Sequence, residues 1–140
     1  QWKRILYEEL ARFLDVPGGE KIVAESYAQL RKFNCWTASI VQQYSKFKDT
    51  RIRPAVIGNS KQFFLMRQFD RSDVDAIAAD IGLPESLGPA IQNYPMPEQQ
   101  PPGKKFSSLC FFSPVTDPPL CGTVRNIQAT KEATHEQAAV

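Results

Sequence analysis

Glu8 and Glu9 are adjacent carboxylates that close a short apolar run, Ile5-Leu6-Tyr7, and Gln43 closes a second run beginning at Cys35. Two arrangements of the first stretch are open. If residues 4–7 form a strand, its trailing acids are delivered to the carboxyl end of a sheet, where α/β proteins hold their ligands, and Gln43 sits at a neighbouring tip. If residues 2–14 form one amphipathic helix, the acids are solvated surface. Periodicity alone favours the helix, because Trp2, Ile5, Leu6, Leu10, Phe13 and Leu14 recur at three- and four-residue steps.

The elements downstream shift the weight toward the strand, while a continuous helix over 2–14 stays the expectation of the interaction-module reading. Pro17-Gly18-Gly19 breaks the chain, and Ile22, Val23, Tyr27, Leu30 and Phe33 then share one face of a helix that stops at Asn34. Residues 35–43 are short and rich in β-branched and aromatic side chains, which predicts a strand. Residues 53–60 read as a helical turn, with Pro54 near its start and Gly58-Asn59 at its end. Residues 61–69 hold a continuous apolar run that predicts a strand buried on both faces. A second helix follows, with Ser72 as its cap, Asp73 and Asp75 in its first turn, and Gly82 and Pro84 closing it. Residues 84–94 have room for one more short helix.

Residues 95–104 are a polar, proline-rich loop. Residues 105–113 and 120–127 read as an antiparallel hairpin, with Phe63, Phe64, Phe111 and Phe112 expected in the core. The expected organisation is therefore a domain half over 1–94, the loop, a hairpin of the same domain over 105–127, and a polar tail over 128–140. The alternation of helix and strand predicts a three-layer α/β fold with a mainly parallel sheet and an appended antiparallel hairpin.

Bulk properties exclude several classes. With 140 residues, 42% hydrophobic residues and a net charge of +2, the chain is an ordinary single-domain sequence. Near-neutral charge gives no electrostatic case for nucleic acid or an anionic membrane, and Lys46, Lys48, Arg51 and Arg53 read as a solvated face. No apolar run reaches the ~18 residues of a membrane span. Cys35, Cys110 and Cys121 lack metal-ligand spacing, and His135 lies in the polar tail, so neither a zinc site nor a disulfide framework is expected and a reducing cytoplasm is the simplest home. The chain opens at Gln1 directly into apolar sequence, which suggests a longer parent.

Four ordered segments carry a family resemblance: "ILYEE" at 5–9, "YAQLRKFN" at 27–34, "ASIVQQYSKF" at 38–47 and "AVIGNSKQFFLMRQ" at 55–68. Across residues 4–85 the chain resembles the carboxyl-terminal part of the ATPases that energise type IV secretion and bacterial conjugation, P-loop motors of the HerA/FtsK kind. In that family an apolar strand ends in the acidic pair called Walker B. A helix ending in Arg-Lys follows, then a strand ending in Gln and an Asn-Ser turn. This sequence departs from the family in having Glu8-Glu9 for the usual Asp-Glu and Gln42-Gln43 for Thr-Gln. It also lacks the phosphate-cradling G-x-x-x-x-G-K-[ST]; "GKKF" at 103 has neither the earlier Gly nor the hydroxyl.

The resemblance implies a partial RecA-like fold, ATP and Mg²⁺ as cofactors, and specific roles. Glu8 would hold magnesium through water, Glu9 would orient the attacking water, and Gln43 would sense the γ-phosphate. Arg31 would reach a nucleotide in an adjacent subunit, as an arginine finger does. It also implies a hexameric ring of like subunits at the cytoplasmic face of a bacterial inner membrane, with membrane components of the secretion channel and either DNA or the relaxosome that processes it as partners. The chain alone is expected to be inactive. The competing expectation, from the residues themselves, is a non-catalytic α/β interaction module.

Overall fold

The computed structural model describes residues 2–127; the polar tail expected at 128–140, with His135, lies outside the described residues. In chain order the elements are β1 (Lys3–Tyr7), α1 (Leu10–Leu14), α2 (Gly19–Gln29), a 3₁₀ turn (Leu30–Phe33), β2 (Cys35–Ser39), α3 (Ser45–Lys48) and α4 (Arg53–Asn59). Then come β3 (Phe63–Met66), α5 (Arg71–Ile81), α6 (Leu87–Gln92), a 3₁₀ turn (Pro97–Gln99), β4 (Phe106–Ser113) and β5 (Leu120–Ile127). The opening stretch is thus a strand followed by a separate short helix. Its apolar periodicity is shared between the two, which is why it imitates one long helix.

The chain divides into two compact units. The first comprises the residues up to Lys61 together with Asp75–Gly82, and the second comprises Gln62–Val74 together with Leu83 onward. The 1–94 stretch therefore contributes to both.

In the first unit β1 and β2 run parallel, with Lys3 opposite Cys35 and Tyr7 opposite Ser39. The crossover between them contains α1 and α2, as parallel pairing requires. One face of this two-stranded sheet meets helices. The Tyr7 and Phe13 rings lie edge to face at 5.1 Å, and the Tyr27 hydroxyl of α2 donates to Ser39 Oγ at 2.7 Å. The helices approach so closely at the α1–α2 turn that a Cβ on Gly19 would stand 1.8 Å from the Phe13 carbonyl oxygen. Leu10, Val23, Phe47, Ile52 and Val56 are among the buried residues of this unit. The other sheet face is open: Trp2, Leu6, Trp36 and Ile40 are 79%, 51%, 54% and 49% exposed.

In the second unit β3, β4 and β5 form an antiparallel meander in that order. The expected 105–127 hairpin is present as β4 and β5. The strand expected at 61–69 needs correction, however: it spans only Phe63–Met66 and pairs antiparallel with β4 instead of joining β1 and β2. Its burial alternates, with Phe63 and Leu65 half-buried and Phe64 and Met66 exposed. The run looked buried on both faces because its outward-facing residues are apolar too. Phe64 is accordingly not in the core, whereas Phe112 is fully buried.

The fold is mixed α/β with one parallel pair and one antiparallel sheet among the described residues, so the expectation of a mainly parallel sheet is corrected. A local correction concerns the cap of α5. Asp70, not Ser72, caps that helix, accepting the Ser72 backbone N–H at 2.7 Å while its carbonyl accepts from Val74.

Candidate functional site

The carboxyl ends of β1 and β2 are laced together by backbone. Ile40 N–H donates to the Tyr7 carbonyl at 2.9 Å, and Leu10 N–H donates to the Ile40 carbonyl at 3.0 Å. These bonds bring the turn after β1 and the loop after β2 to the same place. β2 ends at Ser39, four residues before Gln43, so the expected strand over 35–43 is shortened and residues 40–44 form that loop.

Glu9 occupies the turn. It caps α1 in the left-handed backbone region, with φ 52° and ψ 63°, a conformation that costs a non-glycine residue about 1 kcal/mol. Both of its carboxylate oxygens are engaged. Gln42 Nε2 donates to Oε1 at 3.0 Å, and Arg12, one turn along α1, pairs through Nε with Oε2. Glu9 is half-buried, whereas Arg12 and Gln42 are exposed. The polar constellation at the strand ends is thus Glu9 clasped between a helical arginine and a loop amide.

The other expected site residues are placed differently. Glu8 is exposed at the carboxyl end of β1, beside Glu9. Gln43 is exposed in the loop, and it is the preceding amide, Gln42, that reaches Glu9. Arg31 is exposed in the 3₁₀ turn before β2, beside the amino end of β1, where Lys3 N–H donates to the Asn34 carbonyl at 3.0 Å. The five-residue parallel pair separates it from the acids, so Arg31 and Glu9 of one chain are not brought together. Arg12 was missed in the sequence, although its three-residue spacing from Glu9 on a helix is the signal for such a pair.

Supports behind the loop are polar and partly buried. Tyr44, which follows the two glutamines, donates its hydroxyl to Asp80 Oδ2, and Arg53 Nη1 reaches the same carboxylate at 3.2 and 3.3 Å. Burial raises the pKa of Tyr27 above its ordinary value of 10.0, against a lowering by its bond to Ser39.

Magnesium belongs to the chemistry that the resemblance implies. The described residues form no cluster of three or more His, Cys, Asp or Glu side chains, so they offer no protein cage. A single exposed carboxylate such as Glu8 suits the alternative, an ion that keeps its water shell and is held through it. A cleft of about 630 Å³ lies elsewhere, toward the amino ends of the strands, and is lined by Lys3, Arg4, Ile5, Leu30, Phe33 and Cys35. Among known proteins, no family model matches the chain, and neither a curated protein nor a solved structure matches it.

Proposed function

We propose that the first unit is the acid-bearing half of an ATP-hydrolysing motor domain of the type IV secretion and conjugation kind, RecA-like and three-layered when complete. The observation that carries this reading is the clasp of Glu9 by Gln42 across the carboxyl ends of two adjacent parallel strands. Acid and amide on neighbouring tips are what a hydrolytic water and a γ-phosphate need. The open apolar face of the β1–β2 sheet supports the same reading, because parallel sheets are ordinarily covered on both faces.

In this mechanism Glu9 accepts a hydrogen bond from the attacking water and holds it in line. Gln42 and Arg12 fix the rotamer from which it does so, and Gln43, next in the loop, turns toward the phosphate. Glu8 would hold magnesium through a water; when bound, the ion neutralises charge developing on the phosphate oxygens. Arg31, at the opposite end of the parallel strands from the acids, would serve only a neighbouring subunit in a ring. Membrane components of a secretion channel and a DNA-processing complex are the partners proposed, at the cytoplasmic face of the inner membrane. No helix among the described residues is long and apolar enough to cross a membrane.

The deciding experiment uses steady-state ATP hydrolysis by the natural polypeptide that contains these residues, with Glu9→Gln compared to wild type. A fall in kcat of about 10²-fold, the scale of a positioned general base, is expected. Unchanged turnover rejects the assignment. Turnover by residues 1–140 alone rejects the need for a separate phosphate loop.

A second reading rests on the same clasp. Both Glu9 oxygens are already engaged within the chain, as in a purely structural turn, and the protein is then a non-catalytic α/β interaction module. In that case Glu9→Gln changes stability and nothing else.

A further inference from the structure

The amino ends of β1 and β2 hold a cleft that the hydrolytic chemistry does not use. Its shape follows from how far the helices extend over the sheet. Lys3, Ile5 and Tyr7 alternate onto the face that meets the helices, and burial falls along them: Tyr7 is buried, Ile5 half-buried and Lys3 exposed. Cys35 stands opposite Lys3 at the uncovered end. The other wall is the 3₁₀ turn before β2, in which side chains three apart eclipse, so Leu30 and Phe33 share a side. Asn34 fixes that turn to the sheet, since its N–H donates to the Arg31 carbonyl at 3.2 Å and its carbonyl accepts from Lys3 N–H at 3.0 Å. The resulting cleft of about 630 Å³ falls within the ~300–1,000 Å³ of small-molecule sites.

The lining combines two chemistries. Ile5, Leu30 and Phe33 supply apolar surface, and Phe33 is 64% exposed although its turn is held in place. Lys3 and Arg4 supply positive charge, and Arg31 and Lys32 add two more exposed cations in the same turn. Among the described residues no carboxylate pairs with any of these four, whereas Arg12, Lys21 and Arg53 each have one. Residues 2–4 and 26–36 contain no acid at all. The acids Glu8 and Glu9 lie at the other end of the parallel pair, so uncompensated positive charge is concentrated around this one concavity.

We infer that this cleft binds an amphiphilic organic anion, a small molecule with an apolar body and one phosphate or carboxylate. Each half of the lining selects one half of the ligand. A bare inorganic anion would answer the cations and leave Ile5, Leu30 and Phe33 in water, whereas a neutral apolar molecule would cover those three and leave the charge unanswered. A phosphate or carboxylate at Lys3 and Arg4 gains charge-assisted hydrogen bonds, and the attached body displaces water from the apolar wall. The site is concave, so it suits a single dissolved molecule better than the flat surface of a bilayer. The inference stands on residues 3–35 of the first unit and does not rest on the nucleotide reading, whose acids lie at the opposite strand ends.

The test is a titration of the ¹⁵N-labelled 140-residue chain with octyl phosphate, followed by amide chemical shifts up to about 10 mM. Saturable shifts centred on residues 3–5 and 30–35 are expected, with a dissociation constant on the order of 1 mM for a ligand of this size. Octanol and inorganic phosphate, body without charge and charge without body, are each expected to bind at least fivefold more weakly. Lys3→Gln combined with Arg4→Gln is expected to weaken octyl phosphate at least fivefold, and Phe33→Ser at least threefold, with the far-UV circular dichroism spectrum unchanged. Lys46→Gln combined with Arg51→Gln removes the same charge from exposed positions outside the cleft and is expected to change nothing. Failure to saturate, shifts centred elsewhere, equal binding of octanol or phosphate, or equal weakening by the Lys46 and Arg51 pair overturns the inference. So does binding to phosphatidylglycerol vesicles without binding to octyl phosphate, which would make this end of the sheet a membrane-docking face.

Discussion

Gln42 donates its side-chain amide to the carboxylate of Glu9 at 3.0 Å, joining residues that lie 33 apart in sequence. The bond exists because two backbone hydrogen bonds through Ile40 have already closed the gap between the strand ends. It identifies the first of the two glutamines as the one coupled to the acid. Gln42→Ala is expected to lower unfolding stability by about 1 kcal/mol, the value of an exposed hydrogen bond, and Gln43→Ala by less than about 0.5 kcal/mol. Urea denaturation measures both, and the reverse order would show that the loop places the other amide on Glu9.

Glu9 itself combines an unfavourable backbone with favourable side-chain bonds. Glu9→Ala removes the bonds and keeps the strain of φ 52°, whereas Glu9→Gly removes both. The glycine variant is therefore expected to be the more stable of the two by about 1 kcal/mol. Equal stabilities would mean that the turn relaxes out of the left-handed region when the carboxylate is lost.

Much of the local structure was legible in the sequence because it is punctuated by residues with fixed backbone habits. Pro17-Gly18-Gly19 marks the break before α2, and Asn34, at φ 56°, marks the stop before β2. The β1 strand was legible only by its position in an alternating order, since its own periodicity imitates a helix. What escaped was sheet membership. Phe63–Met66 carries no local signal of whether its partner is Ile5 or Phe112, because pairing is decided by loop closure and burial far away in sequence. The clasp escaped for the same reason in part: Arg12 is a local partner and could be read from spacing, but the choice between Gln42 and Gln43 depends on where β2 stops.

Gly19 tests the close approach of α1 and α2. An added methyl at this position meets the Phe13 carbonyl oxygen at 1.8 Å, and that oxygen belongs to the backbone and cannot rotate away. Gly19→Ala is expected to cost at least the 1–3 kcal/mol or so typical of overpacking, although alanine is the better helix former. Gly58→Ala, in α4 with nothing within 4 Å of the added carbon, is the control and is expected to be neutral or stabilising. Thermal melts of the two variants check the contrast.

The Tyr27 hydroxyl gives the fold an alkaline dependence whose sign is set by burial. Its pKa is raised in the folded chain above the ordinary 10.0, so the folded state holds the proton more tightly than the unfolded state. The corresponding stability is complete below pH 10.0 and is lost as pH rises through the raised value. Tyr94 and Cys110, also raised by burial, act in the same direction, so the informative quantity is the difference between wild type and Tyr27→Phe. Tyr27→Phe is expected to be less stable by about 1 kcal/mol at neutral pH through loss of the Ser39 bond, and that deficit is expected to shrink above pH 10.0. A deficit independent of pH would show that the hydroxyl titrates alike in the folded and unfolded chain, so that burial does not hold its proton.

Asp80 anchors the loop that follows the glutamines. It accepts from Tyr44, two residues past Gln42, and from Arg53 at the start of α4, so one carboxylate ties three separate stretches of the first unit. Its side chain is 22% exposed and that of Arg53 37%, which places the ion pair between the surface and interior limits and limits its own worth to about 1 kcal/mol. The Tyr44 ring is buried, so removing its acceptor adds a desolvation cost, and Asp80→Ala is expected to lose about 2 kcal/mol in all. Asp80→Asn keeps an acceptor for the hydroxyl and is expected to lose about half as much. A double-mutant cycle of Asp80→Ala with Tyr44→Phe is expected to show coupling of about 1 kcal/mol, because the two share one bond. Additive losses would mean that Tyr44 finds other partners and that the loop carrying Gln42 is held independently of Asp80.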